Sequence, residues 1–291
     1  MTGGAGFAGR HLLERLEGAV APSREEVELL DPDATRAALR EAAPGVVFHL
    51  AALASVGRSW DAPAETLTAN LTMTANLLEA IRLEAPEATL VLVSSGEIYG
   101  PPEYLPVNES APLRPQNPYA VSKAACDLLG GQYADAYGAR VVRLRPFNHA
   151  GPGQSDDFVI GALTRQVAEA EAAGAAECVL LTGNVDSARD FTDVRDVVRA
   201  YIAAAALEPG AWNVASGRST SVREVIGLVR AAASIPVRYE IDPAKLRPAD
   251  VPEVRGTAER LRAATGWGPE IPLEQTVVDA LDDWRRRLSK R

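Results

Sequence analysis

Tyr119 and Lys123 stand four residues apart, and Ser95 lies 24 residues before the tyrosine. On a helix that spacing places a phenol and an ammonium on one face, one turn apart. A phenol with a reference pKa near ~10 is a poor proton donor or acceptor at neutral pH. An ammonium about one turn away stabilises the phenolate and draws that value toward working pH. Ser95, just after an apolar run, supplies a hydroxyl that can hold a carbonyl or alcohol oxygen against the phenol. Of 30 basic residues only Lys123, Lys245 and Lys290 are lysines, so a lysine here suggests chemistry in a chain that otherwise uses arginine. The plain alternative is an amphipathic helix that happens to carry both side chains, and the rest of the chain has to decide.

The elements around this trio alternate. Thr2-Gly3-Gly4-Ala5-Gly6-Phe7-Ala8-Gly9 is a GxxGxxG loop that Arg10 to Leu16 continues as a helix. Such glycines let backbone turn tightly and approach a pyrophosphate at the positive helix N-terminus. The strand that should precede the loop, the centre of a doubly wound sheet, is missing from the given chain: either the fold lacks it or the true start lies upstream. Ala19 to Pro22 reads as a short strand ending in Ser23-Arg24, and Val27 to Leu30 as another, with Glu28 and Asp31 as candidates near an adenine. A dinucleotide site selective for NAD places an acid where Ser23 and Arg24 stand, whereas these two can receive a 2'-phosphate. That favours NADP(H), with NAD(H) still open and a solvated turn arginine as the other reading.

Asp33 to Glu41 reads as a helix, and Val46 to Ala52 as a buried strand whose small C-terminal residues let backbone meet a cofactor. His49 reads as a strand-end histidine. A helix over 65 to 83 and a strand over Thr89 to Val93 follow, the strand delivering Ser94-Ser95-Gly96-Glu97 at its C-terminal end, where open parallel sheets bind ligands. A proline-punctuated loop leads to the helix of Tyr119 to Tyr137. Arg140 to Arg145 is a strand running into Pro146-Phe147-Asn148-His149-Ala150-Gly151-Pro152-Gly153. Beyond it come a helix over Phe158 to Ala173, a strand over Cys178 to Thr182, a helix opened by ARDFTDVRD and reaching about Ala206, a late strand at Trp212 to Val214, and a strand near Val237 to Ile241. This pattern predicts an α/β protein: a Rossmann-like, doubly wound parallel sheet in residues 1–153 plus 186–215, and a smaller C-terminal α/β substrate domain in 154–185 plus 216–291.

With 291 residues, 47% of them hydrophobic, the chain can bury one large core or a core and a smaller second one. A formal charge of -9 argues against nucleic acid or an anionic membrane surface as partner. Cys126 and Cys178, 52 residues apart, make neither a zinc signature nor a disulfide framework, so no metal is expected and a cytoplasmic location is the simplest home. No apolar run reaches the ~18 residues of a membrane span.

Together, TGGAGFAG, the Ser95, Tyr119 and Lys123 trio, RPFNHAGPG and ARDFTDVRD resemble the extended short-chain dehydrogenase/reductases that act on nucleotide-diphosphate sugars, across essentially the whole chain. SSGEIYG, FNHAGPGQ, GNVDSARDFTDVRD and LRPADVPEVRG look most like the GDP-4-keto-6-deoxy-D-mannose reductases within that family. The related GDP-mannose 4,6-dehydratases share a glutamate at the position of Glu97, which there moves a proton at C5. They tend to have threonine where this chain has Ser95, and a second glutamate where it has Pro252. The resemblance implies NADPH-dependent reduction of the C4 ketone of a GDP-4-keto-6-deoxy-hexose by Ser95, Tyr119 and Lys123, with Glu97 as a further catalytic residue. It implies cofactor contacts at Gly3, Gly6, Phe7, Ala8, Gly9, Ser23, Arg24, Asp31, Leu50, Ala51, Ala52, Ser94 and Phe147 besides Tyr119 and Lys123. Ser95, Glu97, Asn148, Phe158, Val159, Arg189, Arg247 and Asp250 form the implied substrate set, Arg189 and Arg247 as diphosphate clamps because guanidinium matches phosphate geometry. It also implies a homodimer through helices at about 65 to 83 and 119 to 137. A dehydratase or epimerase on the same fold, and a catalytically silent dinucleotide-binding sensor, remain the alternatives.

Overall fold

Asn117 and Pro118 start the helix that the trio depends on: the Asn117 side chain accepts the backbone N–H of Ala120, and proline occupies a position whose N–H has no helical partner. At the other end Gly138, at φ +67°, takes the left-handed turn that ends the helix. The computed structural model describes residues 1–246 and 251–290. In chain order it holds α1 (Phe7–Leu13), α2 (Pro32–Ala42), β1 (Val46–His49), α3 (Val56–Asp61), α4 (Pro63–Glu84) and β2 (Thr89–Val93). A 3-10 turn at Gly96–Tyr99 leads to α5 (Pro118–Tyr137), β3 (Val141–Pro146), β4 (Asn148–Ala150), α6 (Val159–Ala172) and β5 (Cys178–Thr182). Next come β6 (Ala188–Arg189), β7 (Phe191–Asp193), α7 (Val194–Ala204), β8 (Gly210–Val214), β9 (Thr220–Ser221) and α8 (Val222–Ala232). The described chain ends with β10 (Val237–Ile241), β11 (Glu253–Val254), α9 (Glu259–Thr265) and α10 (Leu273–Leu288).

Four strands form a parallel sheet in the order β1-β2-β3-β8. Both of its faces are covered, as the nearly continuous apolar run of β2 requires, while β3 interrupts its apolar residues with Arg143 and Arg145. The alternation of strand side chains divides the core: Leu90, Leu92 and Val141 pack with Leu77, Leu78 and Ile81 of α4, while Val91, Val142 and Leu144 pack with Leu12 of α1 and Val197, Val198 and Tyr201 of α7. A separate core joins Ile160, Leu163 and Val167 of α6, Leu180 of β5, Val225 and Val229 of α8, and Val277 and Leu281 of α10. There β5 pairs in parallel with β10. This is the Rossmann-like α/β architecture that the sequence pattern implies.

Two expected strands are not formed. Residues 19–22 and 27–30 are irregular and turned, because local side chains satisfy the backbone instead: Glu26 accepts the Ser23 N–H at 2.7 Å and Glu28 accepts the Leu30 N–H at 3.0 Å. Ahead of the glycine loop, where the fold calls for a strand, Thr2 makes a single parallel bridge to His49, and the Met1 amine donates to the Val20 carbonyl at 2.6 Å. The short α3 and the pairings of β4 with β7 and of β6 with β9 and β11 have no strong signal in the sequence. These strands are two or three residues long and α3 has only six, below what periodicity can register.

The ARDFTDVRD stretch turns out to be a structural anchor. Its three aspartates, each at most 1% exposed, reach into three later segments. Asp190 accepts from Ser216 N and Oγ at 2.8 and 2.6 Å, Gly217 N at 3.0 Å and Gly256 N at 3.2 Å. Asp193 caps α7 through Arg195 N and takes the Thr276 hydroxyl of α10 at 2.8 Å. Asp196 accepts the N–H groups of Glu270 and Ile271, both at 2.9 Å. Asp190→Ala would leave its donors unpaired, so we expect a loss of about 3 kcal/mol or more in urea unfolding with the m-value unchanged; wild-type stability would refute the anchoring role.

Candidate active site

Strand β2 ends at Val93, and the next residues meet the first turns of α5. The Ser94 hydroxyl donates to the Lys123 carbonyl at 3.3 Å, and the Lys123 ammonium donates to the Val93 carbonyl at 2.7 Å; the lysine is 5% exposed. Ser95 caps the 3-10 turn, its oxygen accepting the Glu97 N–H at 3.2 Å. Asn117, besides capping α5, donates to the Glu97 carboxylate at 3.4 Å. The four expected catalytic side chains, Ser95, Glu97, Tyr119 and Lys123, are thereby gathered at one sheet end.

Electrostatics at this point differ from the sequence expectation. Burial pushes the Tyr119 phenol up to about 12, the hydrogen bond with Ser95 works the other way, and the nearby Glu97 charge adds to the rise. Lys123, whose ammonium donates to the Val93 carbonyl, contributes no lowering here. Burial holds Lys123 below the ordinary lysine range, with Cys126 acting in the opposite sense. A phenol in this setting keeps its proton at neutral pH and can give it to a more basic oxygen.

The glycine loop is built for close backbone approach. Gly3 sits at φ +74°, and a Cβ there would fall 2.6 Å from Ala51 N, while one on Gly9 would overlap the Gly3 carbonyl oxygen. Gly6 donates to that same carbonyl at 3.0 Å. Ala5 and Gly6 are exposed, and the first turn of α1 carries no acid. Leu50 N is bound to Thr2 O at 3.2 Å and Ala51 N to Thr2 Oγ1 at 3.4 Å, so residues 50–52 border the loop as expected. With no room for a methyl at Gly3 or Gly9, and with Ala5 and Gly6 open to solvent, the loop fits the phosphates of a dinucleotide. Phe7 stacks on His149 with ring centroids 5.8 Å apart, and Arg10 donates to Gly153 O at 3.2 Å, binding loop and α1 to residues 149–153.

Several expected contacts are placed otherwise. Phe147 is not available to a cofactor: its ring is stacked on Tyr99 at 6.1 Å and lies 3.1 Å from where a Gly96 Cβ would stand, while a Cβ on Gly256 would overlap it. Asp31 commits Oδ1 to capping α2, accepting from Asp33 N and Ala34 N. Arg24 is paired with Glu28 at 2.8 Å and Ser23 with Glu26, both on an exposed turn. On the substrate side, Asn148 is half-buried in β4, Phe158 caps α6 and is exposed, and Val159 begins that helix. Arg189 donates to Ala188 O at 2.9 Å and Val251 O at 2.8 Å. Arg247 and Asp250 lie outside the described residues.

Sequence reading misses Asn70, whose side chain accepts from Leu53 N at 2.8 Å and donates to Ser122 Oγ at 2.9 Å, clamping the segment after β1 to α5. Its one signal is an amide on the inward face of α4. His49 is structural, as expected: Nδ1 pairs with the Thr2 hydroxyl at 2.7 Å and Nε2 with the Thr74 hydroxyl at 3.2 Å.

A parallel sheet with a glycine loop at its first helix, and serine, tyrosine and lysine meeting at the end of β2, define an extended short-chain dehydrogenase/reductase. The model of the GDP-mannose 4,6 dehydratase family matches residues 23–280, and the chain belongs to that family. It is 39% identical to GDP-6-deoxy-D-mannose reductase of Pseudomonas aeruginosa over 99% of this chain and 97% of that protein. It is 30% identical to UDP-glucose 4-epimerase of Mycolicibacterium smegmatis over 99% and 98%. Among solved structures, RMD from Pseudomonas aeruginosa complexed with NADPH superposes with a TM-score of 0.90 at 38% identity, covering 98% of this chain and 97% of that one. UDP-glucose 4-epimerase of Thermus thermophilus, complexed with NAD, gives 0.86 at 32% identity over 98% and 97%.

Burial, joined by the charge of Lys123, drives the His49 imidazole down to about 3 from its ordinary 6.5. A histidine depressed in the folded state contributes stability that is fully present above its unfolded pKa and is lost as pH falls toward the folded value. Tm should therefore drop between about pH 6.5 and pH 4, and His49→Gln, which keeps a polar group without titrating, should flatten that limb. An unchanged acid limb in the variant would show that other groups set it.

Proposed function

We propose that the chain is an NADPH-dependent reductase of the C4 ketone of a GDP-4-keto-6-deoxy-hexose. The observation that carries this reading is the half-buried, protonated Tyr119 hydrogen-bonded to Ser95 at the mouth of β2, in a chain that matches a GDP-6-deoxy-D-mannose reductase almost end to end. NADPH, bound along Gly3 to Gly9 with Leu50 to Ala52 beside it, supplies the hydride. Ser95 holds the ketone oxygen and Tyr119 protonates it as the C–O bond becomes an alkoxide, so that ketone, hydride and proton balance to a secondary alcohol. Lys123 keeps the end of β2 and the start of α5 in register and presents its remaining donors to the nicotinamide ribose. A phenol near 12 suits this direction, because the task is to give a proton and not to hold a phenolate.

In this reading the segments around α6, α8 and α10 hold the sugar nucleotide, with Asn148 and Arg189 toward the diphosphate. Ser23 and Arg24 take the 2'-phosphate, Arg24 exchanging its exposed Glu28 partner for the ligand. Two copies associate through α4 and α5, whose outer faces expose Leu71, Val121, Leu128 and Tyr137, and the protein works in the cytoplasm. Glu97 favours one second reading, the 4,6-dehydratase, since its half-buried carboxylate, held by the Asn117 amide at 3.4 Å and felt by the Tyr119 phenol, is the proton-moving group that elimination needs.

Incubation with GDP-4-keto-6-deoxymannose should consume NADPH absorbance stoichiometrically. A dehydratase would instead convert GDP-mannose alone with no net cofactor loss, and a silent sensor would do neither. Tyr119→Phe should lower kcat about 100-fold or more while leaving NADPH affinity within about twofold; full turnover in that variant would sink the assignment. Leu128→Asp should shift a dimer toward monomer in sedimentation velocity, and an unchanged dimer would move the interface elsewhere.

A further inference from the structure

Beneath the proposed site lies a polar cluster that no step of the reaction uses. Asp127 stands on α5 one turn beyond Lys123 and is fully buried. Arg145 of β3 meets it as a fork, Nε donating to Oδ2 at 2.9 Å and Nη2 to Oδ1 at 2.8 Å, and Arg143 adds a third donor at 3.1 Å. The remaining Arg145 nitrogen donates to the Tyr99 hydroxyl at 2.9 Å and to the Glu109 carbonyl at 3.2 Å. Tyr99 in turn donates to Asn213 Oδ1 at 2.7 Å, and Asn213 reaches Val107 O at 3.1 Å. Tyr99 closes the same 3-10 turn that Ser95 opens and that carries Glu97.

We propose that Tyr99, Arg145 and Asp127 are positioning residues that fix the turn of Ser95 and Glu97 against the helix of Tyr119 and Lys123. The two halves of the site otherwise meet through few polar links, among them the Ser94 and Lys123 bonds to backbone and the Asn117 bond to Glu97. Neither backbone bond constrains the turn beyond Ser94. Rotation of the turn about the end of β2 is opposed from below by Tyr99, whose ring is locked by Phe147 and whose hydroxyl is held on both sides. Bidentate pairing lets a guanidinium transmit orientation as well as attraction, so α5 and the turn share one rigid reference, β3. Proton donation and oxygen binding both fall steeply when reacting atoms are displaced by as little as ~1 Å. This inference rests on the reductase reading for its kinetic consequence alone.

Tyr99→Phe is the informative variant: it keeps the ring and its stacking, leaves Arg145 bound to Asp127 and Glu109, and removes only the hydroxyl. With GDP-4-keto-6-deoxymannose and NADPH, kcat should fall about tenfold with KM for each within about twofold. Amide exchange at residues 96–100 should quicken in the same protein while that of β2 stays as in wild type. A variant with a lowered Tm but wild-type kcat and wild-type exchange at 96–100 would reduce the cluster to plain stability and overturn the proposal. If wild type itself fails to reduce that ketone, the reductase reading falls, and the exchange measurement still decides the positioning role.

Discussion

A buried ammonium donating to the last carbonyl of a strand is the constraint from which the site follows. Lys123 has almost no access to water, so its charge is tolerable only if its protons are accepted, and the Val93 carbonyl accepts one at 2.7 Å. That bond, with the Ser94 hydroxyl donating to the Lys123 carbonyl, joins the end of β2 to α5. Once the two are joined, Ser94 and the start of α5 are fixed against each other, and the turn beyond Ser94 is left to other contacts. The same ammonium also disfavours a second positive charge nearby. Together with burial, this keeps His49 neutral, as a hydrogen-bonding post between two threonines.

The energetic character of Tyr119 follows from where it is placed. Withdrawal from water costs the phenolate more than the phenol, and the carboxylate of Glu97 adds to that cost. A group so arranged is a proton reservoir for an oxygen that becomes strongly basic during reaction. It is badly suited to pulling a proton from an alcohol at neutral pH unless a further positive charge is brought close to it. One fold hosts many chemistries, and local electrostatics of this kind separate their demands.

Much of the framework is legible in the chain because its signals are long and redundant. The helix 118–137 combines a proline start, a glycine stop and apolar spacing, and β2 and β3 lie between turn residues as apolar-rich runs. The trio is legible because chemistry of this kind needs fixed spacing on one element. Residues 19–30 mislead: their hydrophobic content suits strands, but Ser23, Glu26 and Glu28 commit their side chains to neighbouring backbone groups and pull the segment into turns. Phe147 resembles a cofactor contact, and the aspartates 190, 193 and 196 belong to a motif that suggests a ligand. Their actual partners, such as Gly96, Gly256, Ser216 and Thr276, lie in separate segments of the chain, and a linear pattern cannot disclose these. The cluster of Tyr99, Asp127 and Arg145 is hidden for the same reason.

The ring of Phe147 is gripped between two glycines, Gly96 from the turn after β2 and Gly256 from the segment after β11; a methyl on Gly256 would overlap the ring and one on Gly96 would stand 3.1 Å from it. A joint of this kind cannot be assembled piecemeal. The loop around residue 256 closes upon a ring more than a hundred residues earlier in the chain, a contact that sets a long loop against its entropy. The nascent protein therefore carries an open aromatic seat until most of its length has been synthesised, and the segment that closes it is the one leading out of β11.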